Sequence, residues 1–247
     1  MNAPLPGQKK IAFVTGGNRG IGFETVRGLA QQGVHVILGS RDERAGKAAA
    51  DRLRQADLPV DALAFDVNRA EDHHAAAQYF ESRFGHLDIL VNNAGIMIDG
   101  ESRASTVPVG LLRQTFETNF FAPIALTQAL LPLLRKSEAG RVVNLSSILA
   151  SLGLHSKPGS PIYDSKIFAY DASKTALNTF TVHLAHELKD TAIKVNSAHP
   201  GWVKSDMGGE EAPMELVDGA KTSIALALLP ASGPTGGFYH LGEPLPW

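Results

Sequence analysis

Apolar residues in this chain follow two alternating rhythms. Short β-branched runs such as Ile11-Ala12-Phe13-Val14 and Val34-His35-Val36-Ile37-Leu38 are separated by longer stretches in which small or apolar residues recur every three or four positions, as at Ala45, Ala49, Leu53 and Ala56. The pattern predicts strands at 11–14, 34–39, 60–65, 87–91, 141–146, 193–197 and 238–241. It predicts helices at 23–32, 42–56, 70–84, 107–134 (interrupted by Pro123), 170–188 and 214–228. Regular alternation of strand and helix is the sign of an α/β fold: a doubly wound parallel sheet of seven strands with helices on both faces. In such a sheet, ligands bind beyond the carboxyl ends of the strands.

Length and composition narrow the class. The 247 residues suit one domain spanning 1–247, with 1–8 read as a flexible N-terminal segment. A formal charge of -2 carries no basic excess, so neither nucleic acid nor a membrane surface is an expected partner. The absence of cysteine excludes disulfides, thiolate nucleophiles and Cys-ligated zinc, and suits a reducing cytoplasm. Neither an apolar leader core nor a membrane span is legible, so small molecules are the expected partners.

Residues just beyond the strands carry the candidate chemistry. After the first strand comes Thr15-Gly16-Gly17-Asn18-Arg19-Gly20-Ile21-Gly22. Gly16, Gly20 and Gly22 permit a sharp turn and close approach to a pyrophosphate at a helix N-terminus, although a glycine triplet alone also fits an ordinary strand-to-helix turn. After the second strand, where an NAD-preferring site would place an acid, stand Ser40 and Arg41. Arg41, with Arg19 from the glycine turn, suits the 2′-phosphate of NADP, and the Ser40 hydroxyl can add a hydrogen bond. The competing reading makes Asp42 the ribose acid and Arg41 a surface residue.

A second constellation is Tyr170-Asp171-Ala172-Ser173-Lys174. Spacing of four puts phenol and ammonium on one helix face, where the cation is expected to lower the phenol pKa. Taken alone the pair is also an ordinary amphipathic surface. Tyr163 with Lys166 is a weaker competitor at spacing three.

Taken together, Thr15 to Gly22, Asn92-Asn93-Ala94-Gly95, Asn119, Ser147, Tyr170 with Lys174, and Pro200-Gly201 resemble the short-chain dehydrogenase/reductase family in order and relative position. Gly39-Ser40-Arg41-Asp42, Thr118-Asn119-Phe120-Phe121 and Pro200 to Met207 are similar to its carbonyl reductases and plant terpenoid and alkaloid ketone reductases. The resemblance covers nearly the whole chain and implies a Rossmann fold that binds NADPH or NADP. It implies that Tyr170 gives a proton to the carbonyl oxygen, Lys174 lowers the phenol pKa and holds the nicotinamide ribose, Ser147 hydrogen-bonds the substrate oxygen, and Asn119 holds a relay water. It places Asn18, Ile21 and Gly95 among the cofactor contacts, with Asp66 and Val67 beside the adenine and Asn93 and Ala94 on the adenosine side. Pro200 and Gly201 are implied as further cofactor contacts, and Val203 and Ser205 at the carboxamide, where the family usually has threonine in place of Ser205.

The chain departs from the family between Ser147 and Tyr170, where 149–168 contains an insertion. It is expected either to cover the helical surface that tetrameric relatives use for a partner subunit or to wall the substrate pocket. The expected state is a monomer or weak homodimer. Region 202–228 is read as the substrate loop, with Trp202 and Met207 as an apolar lid favouring a hydrophobic carbonyl. His183 and His186 lack a third ligand and no metal is expected, while His73 and His74 read as helix surface. The leading function is NADPH-dependent reduction of ketones or aldehydes. The alternatives are NADP-linked alcohol oxidation and a non-catalytic NADPH sensor.

Overall fold

The order of the strands creates the cleft. A computed structural model describes residues 9–247; the N-terminal segment 1–8, expected to be flexible, lies outside the described residues. Strands β1 (Ile11–Thr15), β2 (His35–Ser40) and β3 (Val60–Ala64) alternate with helices α1 (Gly20–Gln31), α2 (Glu43–Arg54) and α3 (Ala70–Phe84). Then follow β4 (Ile89–Asn92), α4 (Val109–Phe116), α5 (Ala122–Leu134), β5 (Arg141–Leu145), α6 (Leu152–His155) and α7 (Phe168–Glu187). The chain ends with β6 (Lys194–Ala198), α8 (Leu216–Ala227), β7 (Phe238–His240) and β8 (Glu243–Pro244).

The strands pair in the order β3-β2-β1-β4-β5-β6-β7-β8. All neighbours are parallel except β7 and β8. Winding reverses between β1 and β4, and this opens the crevice at their carboxyl ends. The eighth strand is an addition to the seven expected. Only two residues long, it has no readable periodicity; the hairpin turns at Leu241 and Gly242, both with positive φ (49° and 92°).

Side chains alternate across β1 into two cores. Ala12 and Val14 pack with α1, α2 and α8, while Ile11 and Phe13 pack with α3, α5 and α7. Phe13 meets Phe65 and Phe80 with ring centroids 5.1 and 5.2 Å away. A buried polar ladder ties the strand ends into register: Asn92 Nδ2 donates to Asn144 Oδ1 (2.8 Å), and Asn144 Nδ2 donates to Thr181 Oγ1 (2.8 Å). Thr181 Oγ1 in turn bonds Ser197 Oγ at 2.8 Å.

Two helical expectations are corrected. The break in 107–134 is a π-helical turn at Glu117–Phe121, and Pro123 follows it directly in the first turn of α5 without ending the helix. The last long helix starts at Leu216, because Met214 pairs with the main chain around Val203. His73 also departs from the surface reading. It is buried, its Nε2 bonds the Val67 carbonyl at 2.8 Å, and its ring packs on Phe65.

Candidate active site

The glycine turn lies at the carboxyl end of β1. Gly16 and Gly20 take φ of 63° and 59°, where a side chain is disfavoured. A Cβ on Gly22 would fall 2.5 Å from Asn93 Nδ2 and against the Gly16 carbonyl, so only glycine lets α1 pack this closely on the strand end. Asn93 is the brace: its Nδ2 donates to Thr15 O at 2.8 Å and to Gly16 O at 3.3 Å. Thr15 Oγ1 accepts the N–H groups of Asn93 and Ala94, each at 3.0 Å. The two family motifs therefore form one hydrogen-bonded unit.

At the end of β2, Ser40, Arg41 and Asp42 are placed differently. Asp42 caps α2, its Oδ1 accepting from Ala45 N at 3.0 Å. One oxygen of its carboxylate is thus engaged in the helix. Arg41 is exposed beside it. Ser40 does not present a free hydroxyl: it is 2% exposed and its Oγ donates to Asp42 O at 2.7 Å. Arg19 is exposed and forms an ion pair with Asp206, from the loop after β6. Beyond β3, Asp66 accepts from Asn68 N, and its own N–H goes to Asp72.

The catalytic candidates converge on the inner face of α7. Lys174 is 3% exposed and its Nζ donates to Leu145 O at 2.7 Å. It stands 5.8 Å from the centroid of the Tyr170 ring. Ser147, just beyond β5, accepts from Leu149 N at 3.2 Å, and its hydroxyl faces the Tyr170 phenol. Ser146 faces elsewhere, its Oγ buried without a partner.

Both titrating groups are set by burial. The Tyr170 phenol is pushed up to about 12 by burial, opposed by the Ser147 hydroxyl and reinforced by the Asp171 charge. Burial lowers the Lys174 ammonium to about 8. Burial therefore holds the phenol above its ordinary value, opposite to the net lowering expected. Loss of water around the phenol is the largest cause of the rise.

Asn119 is fully buried on the π-helical turn. Its Oδ1 accepts from Ile96 N at 2.8 Å, and its Nδ2 donates to Ile96 O (2.8 Å) and to Ser173 Oγ (3.0 Å). Its amide group is committed to holding the loop after β4 against α7. Gly95 lies between Asn119 and Lys174, where a Cβ would be 3.3 and 3.4 Å from their polar atoms.

Across the cleft, Gly201 has φ of 93° and Val203 is buried against Ile21 and Gly219. The Ser205 hydroxyl closes its own loop, donating to Val203 O and accepting from Gly208 N. Trp202 and Met207 are 56% and 40% exposed, and the Trp202 indole N–H is anchored on Gly208 O at 2.8 Å.

The insertion lies on the opposite, outer face of α7. Thr175 Oγ1 donates to Ala150 O, and His155 Nε2 lies 3.3 Å from Asp171 Oδ2. A cavity of about 830 Å³ remains between the two, lined by Leu152, His155, Phe168, Asp171 and Thr175 among others. It does not include Tyr170 or Lys174. Tyr163 is removed from the chemistry: Lys166 bonds its main-chain oxygen and His155.

Two site-shaping residues have no motif to announce them. His199 accepts from Ile148 N at 3.1 Å and Gly201 N at 3.4 Å, joining the serine turn to the Pro200-Gly201 loop. Burial and the neighbouring His240 lower its pKa to about 3, so it remains a neutral acceptor. Asp99, in the loop after β4, is buried at the start of α7. No group of three or more metal-ligating side chains lies together among the described residues, and none of their helices is long and apolar enough to cross a membrane.

Comparison with known proteins agrees with this geometry. Residues 10–216 match the family described as short chain dehydrogenase. The chain is 32% identical to carbonyl reductase (NADPH) 1 of Bos taurus, over 96% of this chain and 98% of that one. It is 33% identical to (+)-neomenthol dehydrogenase of Arabidopsis thaliana, over 93% and 95%. Among solved structures, NADPH-bound carbonyl reductase from chicken fatty liver superposes with a TM-score of 0.84 at 26% identity, covering 97% of this chain and all (100%) of the other.

Proposed function

The chain belongs to the short chain dehydrogenase family, and from that premise we propose that it is an NADPH-dependent reductase of ketones or aldehydes with Tyr170 as proton donor. The observation that carries the reading is the buried grouping of Tyr170, Ser147 and Lys174 at the carboxyl end of the sheet, opposite a glycine turn too tight for any side chain at Gly22. The residues present fit the cofactor. Gly16, Gly20 and Gly22 with the N-terminus of α1 form an anion cradle, and Arg41 with Arg19 supplies guanidinium groups for a 2′-phosphate. Asn18, Ile21, Asp66, Val67, Asn93, Ala94 and Gly95 line one side of the cleft, and Pro200, Gly201, Val203 and Ser205 the other. When bound, NADPH supplies the hydride.

The chain's own residues govern the proton. Ser147 turns its hydroxyl hydrogen to the carbonyl oxygen and orients it beside Tyr170. The phenol then gives up its proton as negative charge develops on that oxygen. Lys174 stabilises the resulting phenolate and resupplies it. A phenol held near 12 enters the reaction protonated at neutral pH, as a proton donor must. A sensor that only bound NADPH would need neither this phenol nor Ser147. The apolar Trp202 and Met207 at the rim favour a hydrophobic carbonyl. With the outer face of α7 covered by the insertion, the protein is a monomer or weak homodimer, and a chain without cysteine suits the cytoplasm.

The test is NADPH consumption, followed by absorbance, with benzaldehyde, acetophenone, cyclohexanone and a small keto acid, for wild type and Tyr170→Phe, repeated with NADH. Turnover by wild type with NADPH preferred, and none by a variant that still binds NADPH, supports the reading. Tight NADPH binding without turnover of any compound leaves the sensor in its place.

A further inference from the structure

Helix α7 carries the proton donor yet starts without a cap of its own, because the residue at its N-terminal boundary is Ile167. Carboxylates supply what the sequence omits there. Asp171 Oδ2 accepts from Ile167 N at 3.0 Å. Asp99 accepts twice, at Oδ2 from Ala169 N (2.6 Å) and at Oδ1 from Tyr170 N (3.2 Å). Asp99 is 3% exposed and lies 70 residues upstream of Ala169.

A buried carboxylate needs compensation. Here it comes from two main-chain donors and the positive end of the helix. A cap from the adjoining residue would fix only the local chain. A cap from Asp99 also fixes where α7 stands relative to the loop after β4. That loop is already pinned at two earlier points: Asn93 and Ala94 donate to Thr15 Oγ1, and Asn119 clasps both main-chain groups of Ile96. Residues 93–99 therefore form a strut from the glycine turn, past the π-helical turn, to the first turn of the catalytic helix.

We propose that Asp99 is a positioning residue for carbonyl reduction: by holding the N–H groups of Ala169 and Tyr170, it sets the placement of the Tyr170 phenol against the cofactor cleft. The inference rests on the reading of Tyr170 as proton donor. It deepens that reading by assigning the placement of the phenol to a carboxylate outside the family motifs. Asp171 cannot substitute fully. Its Oδ2 accepts from Ile167 N, whereas the N–H groups of Ala169 and Tyr170 go to Asp99.

The experiment compares wild type, Asp99→Ala, Asp99→Asn and Tyr170→Phe. It measures steady-state reduction of the most rapidly reduced carbonyl of the panel, NADPH affinity by fluorescence, and the Tyr170 phenol titration by ultraviolet difference against Tyr170→Phe. A misplaced donor is expected to lower kcat about a hundredfold in Asp99→Ala and about tenfold in Asp99→Asn, which keeps one acceptor oxygen. NADPH affinity should stay within about threefold. The phenol should titrate below its wild-type value as water reaches the opened helix start. The inference is overturned if both Asp99 variants keep wild-type kcat and phenol titration while Tyr170→Phe is inactive, or if kcat and NADPH affinity fall in proportion. A fully active Tyr170→Phe would instead overturn the reading beneath it.

Discussion

The Lys174 ammonium donates to the main-chain oxygen of Leu145 at 2.7 Å, so the helix carrying the proton donor is tied to the end of β5 by its own catalytic cation. Burial lowers this ammonium to about 8 while it raises the neighbouring phenol to about 12. Across the accessible pH range it is therefore the lysine that titrates. Reduction is expected to be level near neutrality and to fall as pH rises through about 8, where Lys174 loses the charge that stabilises the phenolate. A kcat profile that stays flat to about pH 10 would contradict this assignment.

Stability gives an independent check on the same group. Between about 8 and the ordinary 10.5, the unfolded chain holds a proton on Lys174 that the folded chain has shed. Stability from this group therefore rises with pH across that window, and its full cost is present below it. Lys174→Met, which keeps the stem but not the charge, is expected to lose activity. It should melt at or above the wild-type temperature at neutral pH, with the advantage shrinking as pH approaches 10.5. A variant that melts well below wild type at pH 7, by calorimetry, would show that the bond to Leu145 outweighs the burial cost.

Cofactor preference rests on which side chain at the end of β2 is free. Because Asp42 is engaged as the cap of α2, Arg41 is the group left for a 2′-phosphate. Arg41→Ala is expected to raise KM for NADPH by about tenfold or more and to leave KM for NADH nearly unchanged. Asp42→Ala should cost about 1 kcal/mol of stability without altering the preference. Equal effects of Arg41→Ala on both coenzymes would remove the phosphate role.

Most of the sheet was legible because its strands are buried on both faces and its helices keep an apolar stripe. The glycine turn and the Tyr170–Lys174 pair were legible because each demands particular residue types at fixed spacing. What escaped was interaction between distant segments. Nothing local to Asp99 says that its carboxylate closes a helix 70 residues away; the only hint was the missing cap at Ile167. The direction of the Tyr170 shift escaped for a related reason. Spacing places the cation, but only the packed structure shows how much water the phenol loses. The π-helical turn carries Asn119, which reaches Ile96 and Ser173 at once, and helical periodicity does not record it.

Gly22 is expected to tolerate no side chain. Its Cβ would meet Asn93 Nδ2 and the Gly16 carbonyl, both fixed by the bonding between the glycine turn and the loop after β4. Gly22→Ala should weaken NADPH binding by more than about tenfold and destabilise the fold by roughly 1–3 kcal/mol. Calorimetry and fluorescence titration would measure the two effects. Wild-type affinity in this variant would mean that the turn is not the pyrophosphate cradle.

Arg19 offers a last test, because its ion pair with Asp206 opposes the role assigned to it. The guanidinium is held by a carboxylate from the loop after β6, and both side chains are largely exposed. A phosphate entering the cleft competes with Asp206 for the same group. An exposed pair of this kind is worth about 0.2–1 kcal/mol, so its removal should strengthen NADPH binding by no more than about fivefold. Asp206→Asn is therefore expected to bind NADPH a few-fold more tightly at low salt, with the gain diminishing as ionic strength rises. Arg19→Gln should weaken binding whether or not Asp206 is present, so the double variant should resemble Arg19→Gln alone. If Asp206→Asn weakens NADPH binding instead, the pair is a closure formed over the cofactor rather than a contact that must open for it, and Arg19 then acts through the loop.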